Sequence, residues 1–321
     1  MARAGAGKRA PLHARGRIAA AATAAAAALA TAAYATLVEP RRLRVRRRTL
    51  RLPNWPRALD GLTVAVIADL HAGAPQIDES ALRKLVARVN ETRPDLVVLL
   101  GDHVDDDHHL GDEIPPERVA ACLGHLEAPR GVVAVLGNHD WLAGGHRVAD
   151  ALRANHITVL ENDATPAGHG LCVAGVGDAT ERVADPHRAL EAIQDPDAAV
   201  LLLTHDPDVF PRVPTRPALT LAGHTHGGQI DIPGARRAWI PSRFGARYAT
   251  RTHVVEDGRH LLLSPGVGTS GWPVRLAARP EIPIVTLRPA GTLQSRPWIS
   301  RSSSPAPPDR CPARGEACPR P

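Results

Sequence analysis

Five short apolar runs in this chain each end on residues that can hold a metal ion, and that recurrence constrains the fold more than any other feature. The run 62–68 (LTVAVIA) leads into Asp69-Leu70-His71, the run 96–100 into Gly101-Asp102, and the run 132–136 into Gly137-Asn138-His139-Asp140. The run 199–204 precedes His205, and 219–222 precedes Gly223-His224-Thr225-His226. Short apolar runs of this kind suit buried strands. Stretches with helical spacing at 78–92, 117–126, 148–155 and 187–193 separate them, joined by short strands at 158–160 and 171–174. Strands alternating with helices imply βαβ units and a largely parallel sheet. In open α/β sheets the carboxyl ends of the strands line one crevice, so clusters distant in sequence can converge there.

From Gln229 onward the pattern changes. The runs 254–255, 261–263 and 284–287 follow one another without helices, which predicts a second, mixed sheet packed on the first. An apolar fraction of 44% over 321 residues is enough for one large α/β domain or two small ones. Aromatic residues are only 3%, so Leu, Val, Ile and Ala must fill the core. Cys122 and Cys172 fall in apolar elements and read as core residues. Cys311 and Cys318 lie in a tail without zinc-ligand partners; a disulfide between them is open.

Residues 18–38 carry no charge and are mostly alanine. That length can span a hydrocarbon core, although alanine makes insertion marginal. The favoured reading is a membrane anchor. The alternative is an exported protein whose signal is cut near Ala33-Tyr34-Ala35, but the apolar run exceeds the usual core of a signal peptide. Arginines flank both ends, so the orientation stays open. The formal charge of +6 is concentrated in Arg41, Arg42, Arg44, Arg46, Arg47 and Arg48. Without interleaved aromatics this run does not suggest a nucleic-acid partner and reads as the solvated flank of a membrane segment. The expected organisation is a tail and anchor or signal over 1–40, and a basic connector or edge strand over 41–60. A catalytic domain over 61–289 and a disordered Pro/Arg/Ser-rich tail over 290–321 follow.

The donors in the five clusters are carboxylate, amide and imidazole, with no thiolate. That mixture suits Mn, Fe or Zn rather than a structural cysteine site or an all-oxygen calcium site. A carboxylate shared between two ions relieves their repulsion, and Asp102, on a turn after Gly101, is the natural bridge. Asp69 and His71 are two apart, so the turn after their strand can bring both to one ion, and Asn138 adds a neutral ligand. Taken singly, each residue has a plainer reading: Asp69 as a helix cap, Asp102 as a turn residue, His205 as a hydrogen-bonded histidine, His224 and His226 as a solvated loop. Their conjunction after five strands favours the metal site. The stretch 105–109 (DDDHH) reads as a solvated acidic loop rather than a third site.

The succession Asp-x-His, Gly-Asp, Gly-Asn-His-Asp, a later His, then Gly-His-Thr-His resembles the calcineurin-like metallophosphoesterase superfamily. The run from Gly223 to Gln229 (GHTHGGQ) is similar to the bacterial membrane-associated phosphohydrolases within it. So are 264–270 (SPGVGTS) and Pro273-Val274-Arg275. The likeness covers about residues 37–287. It implies a four-layer α-β-β-α sandwich of two mixed sheets with helices outside and the metal site at the carboxyl ends of strands. It implies that Asp69, His71, Asp102 and His226 hold one divalent ion, and that Asp102, Asn138, His205 and His224 hold the other. His139 would lie beside the leaving group with Asp140 orienting it. His103 is unusual for the second motif.

The chemistry implied is hydrolysis of a phosphoester or pyrophosphate by a metal-bridging hydroxide, on a phosphorylated small molecule or a lipid-linked substrate. The rival from another class is a binding module that keeps the fold without turnover. An amide or β-lactam hydrolase would need H-x-H-x-D-H-like clusters, and none is found.

Overall fold

A computed structural model of the chain describes residues 12–106, 111–232, 240–249 and 252–291. The tail with Cys311 and Cys318 lies outside them, as do residues 107–109 of the acidic stretch.

The apolar runs fold as strands because their side chains alternate between two buried faces. In β2 (Thr63–Ile67) Val64 and Val66 face one apolar layer while Ala65 and Ile67 face another. In β3 (Leu96–Leu100) Leu96, Val98 and Leu100 share the first layer, and Val97 and Leu99 the second. Strands covered on both sides need unbroken apolar sequence, which explains why these runs lack polar alternation.

The remaining strands are β1 (Arg44–Leu52), β4 (Val132–Val135), β5 (Thr158–Val159), β6 (Asp163–Pro166), β7 (Leu171–Gly175) and β8 (Ala199–Thr204). β9 (Leu219–Ala222), β10 (His253–Glu256), β11 (Arg259–Leu263) and β12 (Glu281–Pro289) complete them. They form two six-stranded mixed sheets, ordered β1-β12-β2-β3-β4-β5 and β10-β11-β9-β8-β7-β6. Among the described residues, only β12–β2, β6–β7 and β10–β11 pair antiparallel. Helices α2 (Glu79–Asn90), α3 (Pro116–Leu123) and α5 (Gly145–Ala154) cover the outer face of the first sheet. The short α6 (Pro186–Glu191) and irregular turns carrying Val209, Phe210 and Tyr248 cover the second. The four-layer arrangement matches the expectation.

The division of strands between sheets does not. The strands β7, β8 and β9, expected to continue the first sheet, form the centre of the second. The last run, expected in the second sheet, is β12, which inserts between β1 and β2. An apolar run encodes burial, not partner, so nothing in its periodicity separates the two outcomes.

The segment 41–60 includes a strand rather than only a connector. β1 pairs in parallel with β12 along nine residues. Arg44 and Arg48, two positions apart on either side of Arg46, each reach the buried Glu281 carboxylate at 2.8 Å, with Arg46 at 3.6 Å. The arginine run is therefore partly folded onto the sheet edge instead of standing as a solvated flank.

At the N-terminus α1 (Leu12–Ala33) continues through tighter and wider turns to Arg41. The span from Gly16 to Arg41 is long and apolar enough to cross a membrane by length and composition. Its foot is fastened to the body: the Ala35 carbonyl accepts from Arg275 N (2.9 Å), and Arg41 donates to the Pro75 carbonyl (3.2 Å).

Candidate metal centre

The strand ends of both sheets meet at one rim. Asp69, Asp102 and Asn138 follow β2, β3 and β4; His205 and His224 follow β8 and β9. Glycine permits the close approach. A Cβ on Gly101, at φ +89°, would stand 2.6 Å from Gly137 N and 2.7 Å from His205 Nδ1. On Gly137 it would stand 2.8 Å from Asp102 N. The backbone departs from strand geometry at once: Asp69, His71, Asp102, His224 and His226 all have φ between 45° and 69°. Left-handed Asp and His residues are several-fold commoner than other side chains there, yet each remains strained. Asp69 and His71 thus reach the rim by two left-handed turns, not by the alternation of a strand.

Two donor groups result. His71, Asp102 and His226 form one, and Asp102, His205 and His224 the other. Asp102 Oδ2 lies 3.5 Å from His71 Nε2 and 3.2 Å from His205 Nε2, so one carboxylate stands between both groups. His71 Nε2 and His226 Nε2 are 3.2 Å apart, and His205 Nε2 and His224 Nδ1 are 3.0 Å apart. Asn138 Oδ1 joins the second group, 3.2 Å from His205 Nε2. Asp69 stands beside them: Oδ1 accepts from His224 N (2.7 Å), while the buried Oδ2 has no hydrogen-bond partner. His205 is oriented through Nδ1, which lies 2.7 Å from the Leu100 carbonyl.

Electrostatics divides the imidazoles. Burial, with the neighbouring His205 charge, pushes His224 down to about 3. Burial, with His71 and Arg275, holds His226 well below the usual range. Both present neutral lone pairs. Burial alone would lower His205 too, but the Asp102 and Asp69 carboxylates outweigh it and hold it well above normal. For Asp102 burial acts upward, and the His205 and His71 charges reverse the sign. Burial raises Asp69 to about 6.

His139 opens α4 (Asn138–Leu142). Its backbone N donates to Asp102 Oδ1 (3.0 Å), and its ring lies edge-on to His71 with centroids 4.7 Å apart. The Asp140 carboxylate makes its hydrogen bonds away from the His139 ring. The Asp140 carboxylate accepts from His103 N (2.7 Å), Val104 N (3.2 Å), His103 Nδ1 (2.8 Å) and Gly137 N (3.0 Å), so both oxygens are committed to the turn after β3 and to capping α4. The unusual His103 supplies two of those four bonds. His139 Nδ1 instead bonds Asp106 Oδ1.

Asp106 was hidden in an acidic run that reads as solvated. Within that run Asp105 and Asp106 both turn inward, Asp105 Oδ1 lying 3.6 Å from His71 Nδ1. Gln229 and Ser270 also escaped a role. Both line a cavity of about 360 Å³ over the rim, with His139, His224, Ile240 and Pro241. Their signal was membership of GHTHGGQ and SPGVGTS. Trp141, Asp178, Phe244 and Trp272 do not line this cavity. Trp141 packs edge-on against His146 under Arg182. Phe244 packs on Tyr248, Asp178 caps the turn at Thr180 and Glu181, and Trp272 is exposed. Cys122 and Cys172 are buried.

Two mixed sheets whose strand ends gather Asp, Asn and His into adjoining donor groups define a metallohydrolase site. The chain belongs to the calcineurin-like phosphoesterase family, whose model matches residues 62–228. It is accordingly a metal-dependent phosphohydrolase. It is 31% identical over 256 residues to an uncharacterized metallophosphoesterase of Aquifex aeolicus, covering 78% of this chain and 93% of that one. It is 32% identical over 236 residues to the phosphodiesterase YaeI of Escherichia coli, covering 70% and 81%. It is also 26% identical over 305 residues to the UDP-2,3-diacylglucosamine pyrophosphatase LpxG of Chlamydia trachomatis, covering 78% and 90%.

Proposed function

We propose that the chain hydrolyses a phosphoester or pyrophosphate bond at a two-ion centre whose donor sets share Asp102. Asp69, His71, Asp102 and His226 would hold one ion; Asp102, Asn138, His205 and His224 would hold the other. The observation that carries this reading is the position of Asp102 Oδ2 between His71 Nε2 (3.5 Å) and His205 Nε2 (3.2 Å). Ligands that share an ion at about 2.0–2.2 Å stand about 3–3.5 Å from one another, the spacing these donors have. The orphaned Asp69 Oδ2 fits the same reading, because a buried carboxylate oxygen without a partner is costly and a cation would satisfy it. Nitrogen and oxygen donors suit Mn, Fe or Zn.

Ions held there supply charge stabilisation and an activated water. The chain's own part is His139. Its Nδ1 bonds Asp106, which fixes the ring and leaves Nε2 toward the cavity, where it could give a proton to the leaving oxygen. With the full donor set present, a binding module without turnover has no observation in its favour.

The helix from Gly16 to Arg41 is read as a membrane anchor, which would hold the rim close to a lipid surface. YaeI is named for phosphodiester cleavage and LpxG for cleavage of a nucleotide-linked lipid pyrophosphate. A lipid-linked phosphate or pyrophosphate is therefore the substrate class proposed. The test is a screen of Mn²⁺-loaded full-length protein against aryl phosphomonoesters, aryl phosphodiesters and nucleotide-linked lipids in vesicles. The expected result is metal-dependent cleavage, fastest on the lipid pyrophosphate. Faster cleavage of every soluble ester than of any lipid would contradict the substrate class, and no cleavage at all would contradict the function.

A further inference from the structure

We propose that Ser270 is a positioning residue for His139, held in register by a two-point clamp from the Gln229 side-chain amide. The inference rests on the role given to His139 above. Ser270 Oγ lies 3.2 Å from His139 Nε2, opposite Asp106 at Nδ1. A terminal imidazole torsion is broad and roughly two-fold, so one hydrogen bond leaves the ring free to swing. Two partners at opposite nitrogens fix its tilt: at rest the single Nε2–H donates to Ser270 Oγ, and the leaving oxygen would take that acceptor's place for the proton to be transferred.

Ser270 can do this only if its own backbone is fixed. Gln229 Nε2 donates to the Ser270 carbonyl (3.0 Å), and Ser270 N donates to Gln229 Oε1 (2.9 Å). One amide thus occupies both main-chain groups of the serine as a neighbouring strand would. The opposite amide orientation would set donor against donor and acceptor against acceptor. Gln229 is anchored in turn: its N donates to the His226 carbonyl (3.2 Å), and its carbonyl accepts from Leu276 N (2.8 Å). The residue before Ser270 is held as well, Gln76 Nε2 donating to Thr269 Oγ1 at 2.6 Å.

Arg275 secures the start of the same loop. Fully buried, it donates to the carbonyls of Pro265 (3.0 Å), Gly268 (2.6 and 2.9 Å) and Ala278 (2.9 Å), and more weakly to that of His226 (3.4 Å). Burial pushes it down to about 10, still protonated at neutral pH. The segments GHTHGGQ and SPGVGTS are therefore joined by hydrogen bonds into one rigid bracket. Its tip is the Ser270 hydroxyl.

A loop that merely shaped the cavity would slow every substrate alike when altered. A residue that positions a proton donor matters most when the leaving group is poor. The experiment measures kcat, KM and bound metal for full-length Ser270→Ala, Ser270→Thr, Gln229→Ala and His139→Ala on aryl methyl phosphodiesters ranging from p-nitrophenyl to phenyl. The expected result for Ser270→Ala is a kcat loss of about tenfold on the phenyl ester and under about twofold on the p-nitrophenyl ester, with KM and metal unchanged. Ser270→Thr restores most of the phenyl rate, and Gln229→Ala reproduces the alanine pattern. An equal loss across all leaving groups, a loss of metal, or no loss in Ser270→Ala would overturn the proposal while a leaving-group-dependent His139→Ala left the His139 role standing. A His139→Ala variant without that dependence would remove the His139 role and the proposal together.

Discussion

The layer between the sheets and the rim at the strand ends are made by the same strands and follow opposite rules. Between the sheets, Val64, Val98, Leu201 and Leu221 are buried, aliphatic and extended, with backbone groups paired in ladders. One or two residues past the strand ends, Asp69, Asp102 and His205 are equally buried but polar. Five rim residues take left-handed backbone conformations, each costing about 1–3 kcal/mol. The rim destabilises itself, and the aliphatic layer beneath makes that tolerable. A site of this kind is held open by the core rather than by its own contacts.

That contrast can be broken by variants that separate rate from stability. The largest effect is expected at the rim: His139→Ala should keep bound metal and the melting temperature while lowering kcat about 10²- to 10⁴-fold on a poor leaving group. Metal loss in that variant would instead make His139 a ligand. Beneath the rim, Leu201→Ala should cost about 2–5 kcal/mol in urea unfolding and leave kcat of the folded fraction unchanged. A large kcat loss there would mean that the core and the rim are not separable. Between these extremes stand two aspartates that look alike in sequence. Asp140→Asn should cost about 1–3 kcal/mol of stability, since its carboxylate serves four donors. Asp106→Asn should change stability by less than about 0.5 kcal/mol and lower kcat about tenfold. Reversed outcomes would return the orienting role to Asp140.

The same contrast explains what could be read from the sequence. Buried strands announce themselves through apolar runs, and polar residues after each run mark the rim, so the donor residues were visible from composition and order. Partnership was not visible. The run 199–204 looks like 96–100, yet β8 lies in one sheet and β3 in the other, because assignment depends on contacts between distant segments. Asp106 was concealed by its neighbours: within DDDHH a charge reads as solvated unless the fold is known to turn it inward. The role of Asp140 rested on the resemblance and not on its surroundings. Its adjacency to His139 is a fact of sequence, whereas its partner His103 is a fact of the fold.

The central claim is that two donor sets share Asp102, and metal stoichiometry tests it most directly. Full-length protein loaded with Mn²⁺, passed through a desalting column and assayed by elemental analysis should retain two ions per chain. Asp102→Asn, treated alike, should retain fewer and show no metal-dependent cleavage of an aryl phosphodiester. Two retained ions and near-native turnover in Asp102→Asn would contradict the shared carboxylate and the account built on it.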